Sequence, residues 1–238
     1  MSGHSKWSTI KRKKEKTDSQ RAKVFTKIGR EMAVAVREGG ADPASNGKLR
    51  DLIAKAKSLN VPNDNIERAI KKAGDKDSDN YETILYEGYG PSGVAVLVDC
   101  LTDNRNRTAG DLRHYFDKFG GNLGQSGSVG FLFERKGILV IENTGLDEDK
   151  VMEDCLDCGA IDFDIESEAV EIFTDPDAVG KVREALEQRG YAFVSAEPEY
   201  VPSTYVRLDG ENRARMEKLL DMLDDNDDVQ NVWHNWEE

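Results

Sequence analysis

Few residues in this chain have the types and spacing that chemistry requires. Gly88-Tyr-Gly-Pro-Ser-Gly93 fits the G-x-G-x-x-G fingerprint, which holds a pyrophosphate only where a strand turns into a helix N-terminus. Here the flanking residues alternate as two strands, so the segment reads as a hairpin turn. A second cluster, Gly120, Gly121, Gly124, Gly127 and Gly130, lacks the Lys-Ser/Thr ending of a phosphate loop. It reads as a flexible helix-to-strand connection, with close approach of its backbone to an RNA or protein surface as the weaker alternative. Cys155-Leu-Asp-Cys158 falls late in a helical stretch, where the dipole cannot lower a thiol pKa, and no second pair stands at zinc spacing. His4, His114 and His234 are far apart, and no Ser or Cys sits in a nucleophile motif. The acidic run Asp224, Asp225, Asp227, Asp228 lacks the Gly and closing Glu of a calcium loop and reads as solvated. The expectation is a non-enzyme with no catalytic residue, no cofactor and no metal.

Cations stand out instead. Lys6, Lys11, Arg12, Lys13, Lys14 and Lys16 surround Trp7 in an N-terminal segment without apolar periodicity, read as a mobile basic arm whose indole can stack on a base. Arg21, Lys23, Lys27 and Arg30 extend the charge along the following helix. The competing reading is a solubilising tail and an ordinary charged helix face. Leu101-Thr-Asp-Asn-Arg-Asn-Arg-Thr108 places Arg105 and Arg107 in a polar loop leading into a helix N-terminus, where guanidinium forks and free N–H groups suit phosphate or base edges. A capped loop with both arginines salt-bridged to the body fits the same residues equally well.

The net charge of −13 conceals a division. Residues 1–76 carry 19 Lys/Arg against 9 Asp/Glu, and the remainder 14 against 37. One end is attractive to phosphate while the body repels it, which restricts how a nucleic acid could dock. No window approaches the roughly 18 apolar residues of a membrane span. The N-terminus has no apolar signal region, and the three cysteines fit a reducing compartment. The expectation is a cytoplasmic location, no membrane partner, nucleic acid (DNA, or RNA on the ribosome) as partner, and a monomer or weak dimer.

The elements that must position these residues divide by period. Thr17 with Gln20 forms a possible capping box, and Ala22, Phe25, Ile28, Met32 and Val36 follow at helical spacing until Gly39-Gly40. Leu49, Leu52, Ile53, Ala56 and Leu59 repeat the pattern, and Asn63 is placed to cap a third helix that ends near Gly74. Residues 75–80 are wholly polar and read as a linker. Strands are then predicted at 82–88 and 94–100, a helix capped by Thr108 and Asp111, and a strand at 128–134. From 137 the order strand, helix, two strands, helix, strand is the ferredoxin-like one. After Pro202 come a strand (Tyr205 to Leu208), a helix with Met216, Leu219, Leu220 and Leu223 in phase, and a strand near Val229 to Trp233. The pieces at 94–134 and 205–233 combine into a second such set. The reading is α+β in three domains: a basic arm and helical domain at 1–78, an α+β domain at 79–134 with 203–238, and a third, inserted α+β domain at 135–202. Both α+β domains carry the ferredoxin-like order.

Six blocks carry a resemblance. Ser2-Gly-His-Ser-Lys-Trp7 with Ile10-Lys, Arg21-Ala-Lys-Val-Phe-Thr-Lys-Ile-Gly-Arg30, Val61-Pro-Asn-Asp-Asn65, Tyr86-Glu-Gly-Tyr-Gly-Pro-Ser-Gly93, Leu101 to Thr108, and Gly124-Gln-Ser-Gly-Ser-Val129 resemble the YebC/PmpR family over essentially the whole length. The resemblance implies an α+β protein of three domains without cofactor or catalytic residue. Members are described as DNA-binding transcriptional regulators, and the related mitochondrial protein as a translational activator of cytochrome oxidase. Bacterial relatives are also connected with translation on the ribosome through proline-rich stretches.

Overall fold

A computed structural model describes residues 6, 7, 10, 18–74 and 80–237. The chain is α+β and divides into two compact units, one of residues 16–130 and 208–236, the other of residues 131–207 with 1–15 and 237–238. Residues 131–207 are thus an insertion in the sequence of the first unit.

The first unit opens with three helices, α1 (Asp18–Gly39), α2 (Gly47–Ser58) and α3 (Asn63–Ala73). Their apolar stripes bury Ile28, Met32, Val36, Leu49, Leu52, Ala56, Val61 and Ile66 in one core. Asn46 joins two helix ends: its Nδ2 donates to the carbonyls of Ala35 (2.7 Å) and Gly40 (2.8 Å), and its Oδ1 accepts from Leu49 N (3.0 Å). One buried amide therefore ties the last turn of α1 and the residue after it to the start of α2, which it caps. The third helix begins one residue earlier than predicted. Pro62 is its cap, and Asn63 is its first helical residue without a side-chain capping bond. The proposed Thr17 box and most of the 75–80 linker fall outside the described residues.

The sheet of this unit has the order β3-β1-β2-β9, from β1 (Glu82–Tyr89), β2 (Ala95–Thr102), β3 (Asn122–Leu123) and β9 (Val229–His234). Helices α4 (Arg105–Lys118) and α7 (Gly210–Asp225) bury Leu112, Phe116, Met216, Leu219 and Leu223. The dinucleotide-like glycines are structural. A Cβ on Gly88 would lie 2.8 Å from the Phe116 ring, and Gly93 adopts φ +80° in the turn between β1 and β2. Tyr205 to Leu208 contributes two strand residues, β8 (Val206–Arg207), which join neither four-stranded sheet.

The second unit pairs β4 (Phe133–Glu142), β5 (Asp162–Ile165), β6 (Ala169–Thr174) and β7 (Phe193–Pro202) in the antiparallel order β5-β6-β4-β7. That is the order expected of β-α-β-β-α-β. The strand predicted at 128–134 and the one predicted from 137 are not separate, since β4 runs unbroken from Phe133 to Glu142. Helices α5 (Glu148–Asp157) and α6 (Val179–Glu187) cover the face bearing Leu139, Ile141, Val170 and Ile172.

Asp154 ties this unit together. It is 8 % exposed and receives Lys150 Nζ (2.6 Å), Arg189 Nη1 (2.5 Å) and Tyr191 Oη (2.7 Å). The Lys150 and Tyr191 hydrogen bonds, with help from Arg189, hold its carboxyl down at about 2. A carboxyl depressed in the folded state contributes stability that is present above its unfolded value, about 4, and is lost as pH falls through the folded one. Near-ultraviolet circular dichroism of the wild-type chain should therefore show loss of tertiary signal between pH about 4 and about 2, and Asp154→Asn should reduce that pH dependence, the remainder coming from lowered carboxyls elsewhere such as Asp228 and Glu87. An unchanged acid profile in the variant would remove Asp154 from this role.

Candidate nucleic-acid interface

The cations of α1 form a stripe. Lys23, Lys27 and Arg30 stand at i, i+4 and i+7, one above another on the helix surface; the two lysines reach the last turn of α7 and Arg30 the segment between α7 and β9. Lys23 Nζ lies 2.8 Å from Asp225 Oδ1, and Lys27 Nζ donates to the Asp224 carbonyl at 2.8 Å. Arg30 Nη1 donates to the carbonyls of Asp227 (2.9 Å) and Leu101 (3.2 Å). The last turn of α7 has no basic residue of its own, although its orphan carbonyls and dipole favour cations there. Helix α1 supplies them.

Asp228 lies at the centre of this junction and is 4 % exposed. Its Oδ1 accepts from Arg30 Nη1 (2.5 Å), and its Oδ2 from Thr108 Oγ1 (2.7 Å), Arg107 Nη2 (2.9 Å) and Thr102 Oγ1 (3.3 Å). Burial pushes the Asp228 carboxyl up, but the hydrogen bonds from Thr108, Arg107 and Arg30 outweigh it and leave the group below the ordinary carboxylate range. The expectation of a solvated acidic loop is corrected at this residue. No local pattern distinguished Asp228 from its acidic neighbours, because its partners lie 120 to 198 positions away.

The Leu101 to Thr108 segment is also reordered. Helix α4 begins at Arg105, capped by Asn104, whose Oδ1 accepts from Arg107 N at 3.1 Å. Thr108 is buried and serves Asp228 instead of the cap. Arg105 and Arg107 therefore both occupy a first helical turn, where the dipole disfavours positive charge. Arg107 is compensated by Asp103 (2.7 Å) and Asp228 (2.9 Å). Arg105 is exposed and makes no side-chain ion pair among the described residues. The two arginines, indistinguishable in sequence, have different surroundings.

Glu87, missed in sequence, organises the glycine-rich connection. Its carboxylate is 8 % exposed and accepts from the backbone N–H groups of Gly127 (2.7 Å), Val129 (2.8 Å) and Gly130 (2.7 Å). Burial raises its pKa, but the N–H groups prevail and leave it lowered. The connection read as flexible is pinned, and a carboxylate of the chain already fills the concavity that a phosphate would need.

In the other unit, Lys6 Nζ pairs with Glu199. Trp7 donates its backbone N–H to Glu171 Oε1 (2.8 Å) and its indole N–H to Glu168 Oε2 (3.1 Å). Trp7 and Ile10 pack on Ile138, Val140 and Ala169, the sheet face turned away from α5 and α6. These three residues are held, contrary to the reading of a mobile arm. Buried Glu171 and Glu199 need donors, and the N-terminal segment provides them. Lys11, Arg12, Lys13, Lys14 and Lys16, and the side chain of Arg21, lie outside the described residues.

Known proteins share this arrangement. The family model of the TACO1/YebC protein N-terminal domain matches residues 5–76, and that of the TACO1/YebC second and third domain matches 81–236. The chain belongs to the TACO1/YebC family. A relative from Finegoldia magna is 59 % identical over 100 % of this chain and 99 % of its own, and one from Acetivibrio thermocellus is 58 % identical over 99 % of each. Both are named probable transcriptional regulatory proteins. The crystal structure of a conserved hypothetical protein from Aquifex aeolicus superimposes with a TM-score of 0.83 at 44 % identity, covering 93 % of this chain and 92 % of that one. The two family models leave residues 77–80 between them. Among the described residues no helix is long and apolar enough to cross a membrane.

Proposed function

We propose that this TACO1/YebC protein is a non-enzymatic, cytoplasmic regulator of gene expression that acts by binding nucleic acid through its N-terminal domain and Arg105. The observation that carries the proposal is charge segregation: 19 Lys/Arg against 9 Asp/Glu in residues 1–76, and 7 against 19 in residues 131–207. Only the first of these attracts a polyanion. Arg105 adds a local argument, because an exposed arginine that makes no ion pair among the described residues, at a helix N-terminus, opposes the dipole.

The first reading is a DNA-binding transcriptional regulator, as the relatives are named. Helices α2 and α3, joined by residues 59–62 with Arg68 and Lys71 exposed on α3, supply a helix–turn–helix connection of suitable length. The second is a translation factor binding RNA on the ribosome. One observation favours it: the cationic stripe best shaped to follow a duplex backbone, Lys23, Lys27 and Arg30, is engaged by the chain's own acidic segment. Scattered contacts suit folded or single-stranded RNA better than a duplex groove.

Fluorescence anisotropy with a duplex DNA and a single-stranded RNA across 50–200 mM salt tests both. Changing Lys11, Arg12, Lys13 and Lys14 together to Gln should lower the slope of log K against log salt by up to about 3.6 on duplex or about 2.8 on single strand. Arg105→Ala should lower it by up to about 1, with an unchanged melting temperature. Unaltered slopes in both variants would remove the proposed contacts. Comigration with ribosomal particles in sucrose gradients, abolished by RNase, would select the second reading; a protein that stays light would leave the first.

A further inference from the structure

We infer that the solvent face of α5 in the inserted unit docks a basic amphipathic protein segment. Met152 and Leu156 stand one turn apart, 39 % and 58 % exposed, while Val151 and Cys155 of the same helix enter the core. Beyond the turn at Gly159, Ile161, just before β5, is 70 % exposed. Isolated exposed apolar residues are ordinary, but Met152 and Leu156 share one helix face, and Ile161 adds a third exposed apolar side chain just after the turn that ends the helix.

The charge beside the patch selects its occupant. Asp149 and Glu153 are exposed on the same helix and make no ion pair among the described residues. The lysine between them, Lys150, is drawn to Asp154 at 2.6 Å. Residues 131–207 as a whole hold 19 acidic against 7 basic residues. An apolar centre with an unneutralised acidic margin complements a helix whose apolar stripe is flanked by lysine or arginine. The same charge repels nucleic acid, so the partner differs from that of the basic domain, and the inference does not depend on whether DNA or RNA binds there.

The full chain is titrated with a labelled 18-residue amphipathic peptide of leucine and lysine, with a scrambled peptide of the same composition, and with a leucine–glutamate counterpart. The ordered basic peptide should bind at least about tenfold more tightly than the scrambled one, and the acidic peptide should not bind. Leu156→Ser with Ile161→Ser should weaken binding about tenfold, and Glu153→Gln about threefold at low salt, with melting curves retained because these side chains are exposed. Equal binding of ordered and scrambled peptides would reduce the surface to bulk charge and overturn the inference, as would affinity unchanged in all variants or no binding. A dimer in sedimentation equilibrium that dissociates in the double variant would assign the patch to a second copy of the chain and overturn it equally. If the double variant fails to fold, Glu153→Gln alone decides.

Discussion

Asp228→Ala should destabilise the unit of residues 16–130 and 208–236 by about 3 to 5 kcal/mol, because removing one member of a buried charged cluster leaves the others without compensation. Arg30 and Arg107 both pair with this carboxylate, and Thr102 and Thr108 donate to it. Its loss leaves Arg30, Arg107 and Thr108 without their shared acceptor, while the Lys23, Lys27 and Arg30 bonds to Asp225, Asp224 and Asp227 remain. Urea denaturation followed by far-ultraviolet circular dichroism measures the effect. Arg107→Ala should cost less, since its side chain is 44 % exposed and water can replace part of what it gives. The sign of the pH dependence follows from the lowered carboxyl: the stabilisation is present at neutral pH and lost as pH falls below the ordinary carboxylate range, so wild type and variant should converge in acid. With the carboxylate removed, Arg30 keeps the Leu101 and Asp227 carbonyls and Arg107 keeps Asp103, but one negative charge beside them is gone, and nucleic-acid affinity should rise slightly even as stability falls. A urea midpoint equal to wild type would show that the junction contributes nothing to stability.

Glu87→Ala should cost about 3 kcal/mol and release the glycine-rich connection. Each buried donor left without a partner costs about 1 to 3 kcal/mol, and Glu87 serves the N–H groups of Gly127, Val129 and Gly130. Val129 is fully buried, so water cannot replace its bond without rearrangement. Hydrogen exchange of residues 125–130 should accelerate much more than that of α1 to α3. Glu87→Gln keeps an acceptor but loses the charge that three donors converge on, and should fall between wild type and Ala. Protection equal to wild type in Glu87→Ala would mean that the loop is held by other contacts, such as the Tyr89 Oη bond to the Ser128 carbonyl at 2.8 Å.

Periodicity was enough to place most elements. Ile28, Met32 and Val36 announced α1, Leu112 and Phe116 announced α4, and the order of elements from 137 onward announced the inserted sheet, because helix and strand spacing are properties of neighbouring residues. The glycine fingerprint at 88–93 was correctly assigned to a turn on its flanks alone. Boundaries slipped where a side chain reached outside its own element: Thr108 has the chemistry of a cap but faces Asp228, and Asn104 takes the cap in its place.

What the sequence determined by itself was therefore the α+β class, the basic N-terminal end set against an acidic remainder, and the residues eligible to carry function. What only the tertiary structure decided was how those charges are used. Lys23, Lys27 and Arg30 have the spacing of a phosphate-binding stripe, yet they cap a helix that ends near residue 225. Arg107 is bound by Asp228 while Arg105, two residues away, stays exposed. A cation answers to whichever acceptor the fold brings within about 4 Å, and in this chain that acceptor is as many as 198 positions distant, as between Arg30 and Asp228.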